Sequence, residues 1–248
     1  MNALPPIVLN PEGRFPGLIV VDHSGTSVPA PLNDLGLDPS WHTTHHFQDL
    51  GVADLARRIA ACIDVPVVMN RVSRLVIDTN RWIADPASVV SVIDGTTVPA
   101  NIALSTAERA ARQDAVFWPF HAAVARAWDR QLAHHRQPLF FALHSCTRYF
   151  EGSRRSWDGG TIWHNDQTLS RNLLDILARD TSLVLGDNQP YTGVNGLYTV
   201  DRHTFGSGLP ACGFEVTNDL LETENGRSRW ADLLSDALTS ITRLETAA

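Results

Sequence analysis

The chain has 248 residues, 44% of them hydrophobic and 19% charged, with a formal net charge of −7. That composition excludes a disordered chain and supplies apolar mass for a substantial core. The acidic balance, with no run of basic residues, argues against nucleic acid as a partner.

All 20 fixed cations are arginines. With no lysine, Schiff-base chemistry and a P-loop are excluded, and an anionic substrate has to be held by guanidinium groups, whose fork matches a carboxylate. Cys62, Cys146 and Cys212 are scattered and form no CxxC pair, so neither a disulfide framework nor a zinc ribbon is expected. The first residues lack the basic and apolar regions of a secretory leader. No apolar run approaches the roughly 18 residues of a membrane span. These features predict a single cytoplasmic domain over residues 1–248.

The first element is the apolar run 17–23, "GLIVVDH", which reads as a buried parallel strand that stops on an acid and an imidazole. Residues 30–44, rich in Pro, Asn, Asp and Gly, read as a loop. Helical spacing of apolar residues predicts a helix over 47–63 packed on a sheet, and strands follow at 65–70 and 74–80. A long Pro-punctuated loop occupies 82–104. The next helix, 105–135, opens on a Ser105–Glu108 capping box and should break or kink near Pro119.

Residues 138–145, "PLFFALHS", repeat the opening pattern of an apolar run ending on a histidine. A helix near 166–179, a strand at 182–188, a strand at 211–216 carrying Glu215 and an amphipathic helix over 227–245 complete the chain. Strands alternating with helices predict an α/β sandwich around a largely parallel sheet.

Ligand sites in such sheets form beyond the carboxyl ends of the strands. The predicted strand ends carry His23, His144 and the Asp78–Asn80–Arg81 cluster. Two histidines and a carboxylate with one position open make a common catalytic zinc shell. Asp49, at the start of the first predicted helix, is the leading carboxylate, with His45 and His46 as alternative donors. A histidine at a strand end is more often a hydrogen-bonded structural residue, and an acid at a helix start is favoured by the helix dipole whatever its function.

Arg81 with Asn80 has the chemistry of a carboxylate clamp, against the plainer reading of an Asp–Arg pair that orders a loop. Arg154 and Arg155 form a second candidate clamp. Glu215 interrupts an apolar run and is either a paired structural carboxylate or a proton-transfer group with a raised pKa. His121 and His203 read as supporting residues. Cys146 reads as a small buried hydrophobe. No G-x-S-x-G elbow and no G-x-G-x-x-G fingerprint is present, which sets aside a serine hydrolase and a dinucleotide site.

The segments "DHSGTSVP", "HHFQDLGVADLA", "SRLVIDTNR", "LHSCT", "SRRSWDGG" and "GDNQPY", in that order from about residue 18 to 234, resemble the N-formylglutamate amidohydrolase family. The resemblance implies a three-layer α/β/α sandwich of the phosphorylase/hydrolase-like type, with a mostly parallel mixed sheet, related to zinc carboxypeptidases and aspartoacylases. It also implies a zinc-dependent (or other divalent-metal) hydrolase acting on a small N-acyl amino acid such as N-formylglutamate. His23 and His144 would be zinc ligands and Asp49 the acidic one. The related carboxypeptidases have a Glu three residues after the first His, where this chain has Thr26.

Under the same resemblance Asn80–Arg81 would grip the substrate carboxylate, Glu215 would be the general base, and Arg74 or Arg71 would stabilise the oxyanion. Arg154 or Arg155 would meet a side-chain acid. Cys146 and Thr217 depart from the family pattern close to the expected pocket. The alternatives are an amidase for another acyl or peptide substrate, including cell-wall peptides, and a binding protein that holds a carboxylate without turnover.

Overall fold

The computed structural model describes residues 1–195 and 197–246. In chain order its elements are β1 (Ile7–Leu9), β2 (Gly17–Val21), α1 (Val52–Ile63), β3 (Val67–Met69) and a small ribbon of β4 (Val92–Ile93) and β5 (Thr96–Thr97). Next come α2 (Thr106–Arg112), α3 (Trp118–His134), β6 (Leu139–Cys146), a second ribbon of β7 (Tyr149–Phe150) and β8 (Ser153–Arg154), β9 (Gly159–Ile162) and α4 (Thr168–Leu177). The chain continues through β10 (Leu185–Asp187), α5 (Tyr198–Thr204), β11 (Ala211–Thr217) and α6 (Glu224–Thr246). No described helix is long and apolar enough to cross a membrane.

Seven strands form one mixed sheet in the order β1-β3-β2-β6-β11-β9-β10. Four neighbouring pairs are parallel; β1–β3 and β9–β11 are antiparallel. The period-2 alternation of a strand divides β2 between two cores. Ile19 and Val21 pack with α1, α4 and α6, whereas Leu18 and Val20 pack with α3 and α5. Helices therefore cover both faces, and the architecture is a three-layer α/β/α sandwich. Helix α1 shows how: Val52, Leu55, Ala56, Ile59 and Ala60 recur at helical spacing and are all buried. Each fully buried Leu or Ile stabilises the packing by about 1.5–3 kcal/mol.

The expected break near Pro119 takes the form of a π turn, Gln113–Phe117, just ahead of it, in which the Trp118 N–H donates to the Gln113 carbonyl. Proline has no N–H to donate, and a widened turn is a common way to absorb the defect. The Ser105–Glu108 capping box forms.

Two expectations need correction. Residues 74–80 do not form a strand; they turn, with the Val76 N–H donating to the Ser73 carbonyl and the Asp78 N–H to the Ser88 carbonyl. The sheet position beside β3 is already taken by β1, so Leu75, Val76 and Ile77 go instead into a separate apolar cluster with Leu35, Phe47, Val89, Ile93 and Phe117. Buried irregular backbone needs side-chain partners. Asn101 donates to the carbonyls of Leu75 and Val90, and the buried Arg112 to those of Val76 and Ala100. Asp49, for its part, lies ahead of α1, which begins at Val52.

Two glycines let loops close over the sheet edge. A Cβ on Gly25 would lie 2.1 Å from the Arg71 carbonyl carbon, and one on Gly160 2.1 Å from the Gln189 oxygen. Both obstacles are backbone. The first approach carries the Ser27–Val72 bridge; the second seats the Gln189–Pro190 segment, whose peptide bond is cis. Gly25→Ala is expected to lower stability by about 1–3 kcal/mol through overpacking, read as a lower denaturant midpoint with an unchanged slope.

Candidate active site

Strands β2 and β6 are parallel neighbours with Val20 level with Ala142, so His23 and His144 leave adjacent strands at almost the same height. Their rings stand 5.1 Å apart. On the other side of β6, the register sets Glu215 opposite His144. Asp49 arrives from the loop before α1 and is tied down at both ends. Its N–H donates to the His23 carbonyl at 2.9 Å, and its Oδ2 accepts the Ser145 N–H at 3.3 Å.

The Asp49 Oδ2 is the hub. His144 Nδ1 lies 3.0 Å from it and His23 Nδ1 3.5 Å. The opposite nitrogens face other carboxylates. His23 Nε2 is 2.7 Å from Asp78 Oδ1, and His144 Nε2 is 3.7 Å from Asp22 Oδ2. Asp22 is held in turn by the Thr199 hydroxyl at 2.6 Å, and Asp78 by Arg74 at 2.8 Å, which also reaches Asp49 at 3.4 Å.

The imidazoles and carboxylates are out of water, and Arg74 is partly exposed. Burial and the Arg74 charge work to lower the His23 pKa, but Asp78 and Asp49 outweigh them and raise it to about 9. Burial works to raise the Asp49 pKa; the neighbouring imidazoles prevail and hold it well below the usual range. Burial raises the Asp22 pKa, and it lifts Glu215 to about 7. The Glu215 Oε2 is buried with no hydrogen-bond partner.

These residues fit a divalent cation. One donor atom from each of His23, Asp49 and His144 lies within 4.8 Å of the other two. Ligand atoms about 2.0–2.2 Å from a tetrahedral zinc lie roughly 3.3–3.6 Å apart, close to the 3.0 and 3.5 Å found here. His23 also turns its second nitrogen onto a carboxylate, Asp78, the usual support for a histidine ligand. His144 Nε2 and Asp22 Oδ2, by contrast, face each other at 3.7 Å without a hydrogen bond. The carboxylates that draw a proton onto His23 make the demand for positive charge that such an ion answers.

The group opens into a cleft of about 640 Å³. Glu215, Arg74, Asn80 and Arg81 line it, along with His45 and His46. Asn80 Oδ1 accepts the Thr199 N–H. His46 is turned to Asp94 at 2.7 Å, and neither His45 nor His46 joins the donor group. Arg71, Arg154 and Arg155 are not among the cleft-lining residues. Arg154 is exposed on β8, while Arg155 is buried behind Tyr191, to whose hydroxyl it donates at 2.9 Å.

The sequence reading did not single out Asp22 and Asp78 as partners of the two histidines, nor Phe150 and Tyr191 as cleft walls. Asp78 follows Arg74 by four residues, which was the one local signal. The other contacts are non-local.

An α/β/α sandwich that gathers two imidazoles, a carboxylate between them and a second, unpartnered carboxylate at one sheet edge belongs with the amide-cleaving hydrolases. A profile of N-formylglutamate amidohydrolases matches residues 15–222, and the chain belongs to that family. It is similar over 99% of its length to 97% of a gene product of Agrobacterium tumefaciens, with 28% identity and a TM-score of 0.91. It shares its fold with an N-formylglutamate amidohydrolase from Ralstonia eutropha JMP134, at 19% identity and a TM-score of 0.77, with 97% of each chain covered. The search of curated proteins finds no match.

Behind the cleft, His121 Nε2 meets the Thr79 carbonyl at 3.0 Å and its Nδ1 meets His203 Nε2 at 3.1 Å. The carbonyl can only accept, so His121 donates to it and receives the His203 N–H; both rings are neutral. Burial first and His203 second push His121 down to about 3, and burial followed by Arg202 pushes His203 down to about 4. The unfolded chain, with histidine pKa values near 6.5, then binds protons that the folded chain refuses. Stability should therefore fall as the pH drops from about 6.5 toward 4. His203→Gln keeps an N–H for His121 and is expected to lower the slope of unfolding free energy against pH in that window by up to one proton, measured by denaturant titration at successive pH values.

Proposed function

We propose that this chain hydrolyses the amide bond of a small N-acyl amino acid, of the N-formyl class to which N-formylglutamate belongs, with zinc held by His23, Asp49 and His144. The observation that carries this reading is Glu215: a carboxylate buried beside the donor group, with one oxygen unpartnered and its pKa raised to about 7. A carboxylate so placed is costly as structure and useful as a proton carrier at neutral pH. A protein that merely binds carboxylates has no use for it. When bound, zinc supplies a Lewis acid for the acyl oxygen and lowers the pKa of water toward about 7.

The chain's own residues do the rest. Glu215 takes a proton from the attacking water and returns it to the leaving nitrogen as the C–N bond breaks, releasing a carboxylic acid and an amino acid. Asn80 and Arg81 hold the amino acid's carboxylate. Asp78 orients the His23 imidazole. Arg74 is engaged by Asp78 and Asp49, so we assign it to positioning rather than to the oxyanion. Three free cysteines are in keeping with a cytoplasmic setting.

Metal analysis and assay on N-formyl amino acids test the whole. Chelation should abolish turnover, stoichiometric zinc should restore it, and His23→Ala or His144→Ala should lose the metal; full activity without metal would end the proposal. Glu215→Gln should retain zinc yet lose about 10²–10⁴ in kcat. Arg81→Ala should raise KM with little change in kcat, the mark of a group that binds ground state and transition state alike.

A further inference from the structure

Apart from the proposed metal, the described cleft residues offer one loosely paired guanidinium. Among the described lining residues are two arginines. Arg74 is engaged by Asp78 and Asp49. Arg81 is 39% exposed and has only looser pairs, 3.7 Å to Asp78 and 3.5 Å to Asp85. It is the guanidinium that one substrate carboxylate can reach. Arg155 is not a second one. It donates to the Thr147 carbonyl at 3.1 Å and the Tyr191 hydroxyl at 2.9 Å, and the rings of Phe150 and Tyr191 cover it at 4.7 and 4.9 Å.

The remaining walls carry no further arginine: apolar and aromatic side chains predominate, with His45, His46, Thr147 and Thr192 among them. Leu75, Val90 and Ile93 line the cleft from one part of the chain, and Phe150, Pro190 and Tyr191 from another. The ribbons that carry Ile93 and Phe150 also expose Val92 and Tyr149. His46, the lining imidazole that a second carboxylate would need, is already turned to Asp94 at 2.7 Å. A dicarboxylic substrate would bring its second charge into the cleft with no second accessible guanidinium to meet it, a costly arrangement.

We infer that the substrate of this site is an N-acyl amino acid with a neutral, apolar side chain, of the leucine or phenylalanine kind, rather than an acidic one. The inference rests on the proposed N-acyl amino acid site and names the side chain that site takes. One carboxylate is met by Arg81 and Asn80, and the side chain is met by the aliphatic and aromatic walls.

Calorimetric titration of zinc-loaded Glu215→Gln protein with N-formylglycine, N-formylleucine, N-formylphenylalanine and N-formylglutamate tests it, alongside kcat/KM of the wild type on the same four. The leucine and phenylalanine compounds should bind at least about tenfold tighter than those of glycine and glutamate, as filling an apolar pocket does. The wild type should rank them in the same order, which guards against a misfolded variant. Tighter or equal binding of N-formylglutamate, or no binding of any, overturns the inference. If the wild type turns over N-formylglutamate best, the hydrolase reading stands and this one falls. If the apolar compounds bind best and none is cleaved, this one stands and the hydrolase reading falls.

Discussion

One carboxylate oxygen, Asp49 Oδ2, faces the imidazoles of both His23 and His144, and the organisation of the cleft depends on that meeting. The two histidines are far apart in sequence, His23 in the turn just after β2 and His144 within β6, and they meet only when the crossovers through α1 and α3 place β2 beside β6. Asp49 joins them from a loop, and its backbone N–H is bonded to the His23 carbonyl. The acid is therefore built into the end of β2 and does not merely lie near it. Local backbone bonding and long-range sheet order have to agree for the three groups to converge.

The charges around this point explain why so many ionisable groups tolerate burial together. Asp49, Asp78 and Asp22 lie on the outer sides of the two imidazoles or between them, and Arg74 bridges two of the three acids. In low dielectric each acid is affordable only with a cation or a strong donor against it. The shifts follow: the paired Asp49 and Asp78 fall below the usual carboxylate range, while Glu215, with an oxygen unpartnered, rises. Burial raises Asp22 as well, but of the two raised carboxylates Glu215 lines the cleft. The acids thus divide into fixed anions and a cleft-facing group able to exchange a proton near neutral pH, the separation that acid–base chemistry requires.

Much of this was legible in the sequence where the pattern is local. The runs 17–23, 138–145 and 211–216 read as buried strands because a strand covered on both faces is apolar throughout, and they became β2, β6 and β11. The run 74–80 has the same look and failed, since three adjacent apolar residues cannot reveal whether a place in a ladder is open to them; here β1 had closed it. His23 and His144 stood out because each follows such a run. Asp22 and Asp78 were visible as acids at the ends of apolar runs but not as neighbours of the imidazoles, since the pairing of an imidazole with a particular acid depends on crossovers that no short pattern encodes. Arg154 and Arg155, alike in sequence, are separated by the alternation of a ribbon, one exposed and the other buried under two aromatic rings.

The parts that move protons and the parts that meet the substrate's side chain are supported differently. His144 and Glu215 lie within sheet strands, packed on both sides and level with each other. Leu75, Val90, Ile93, Phe150 and Tyr191 come from loops and two-residue ribbons outside the seven-stranded sheet. Groups that must hold a geometry to a fraction of an ångström gain from a rigid sheet, whereas a wall that only has to be apolar and of suitable size can be assembled from loops. Side-chain preference can therefore differ between chains with the same sheet and the same histidines, because the loops change it without disturbing the strands. Family membership speaks to the first part of the cleft, and under the proposed function the residues along the second set the side-chain preference.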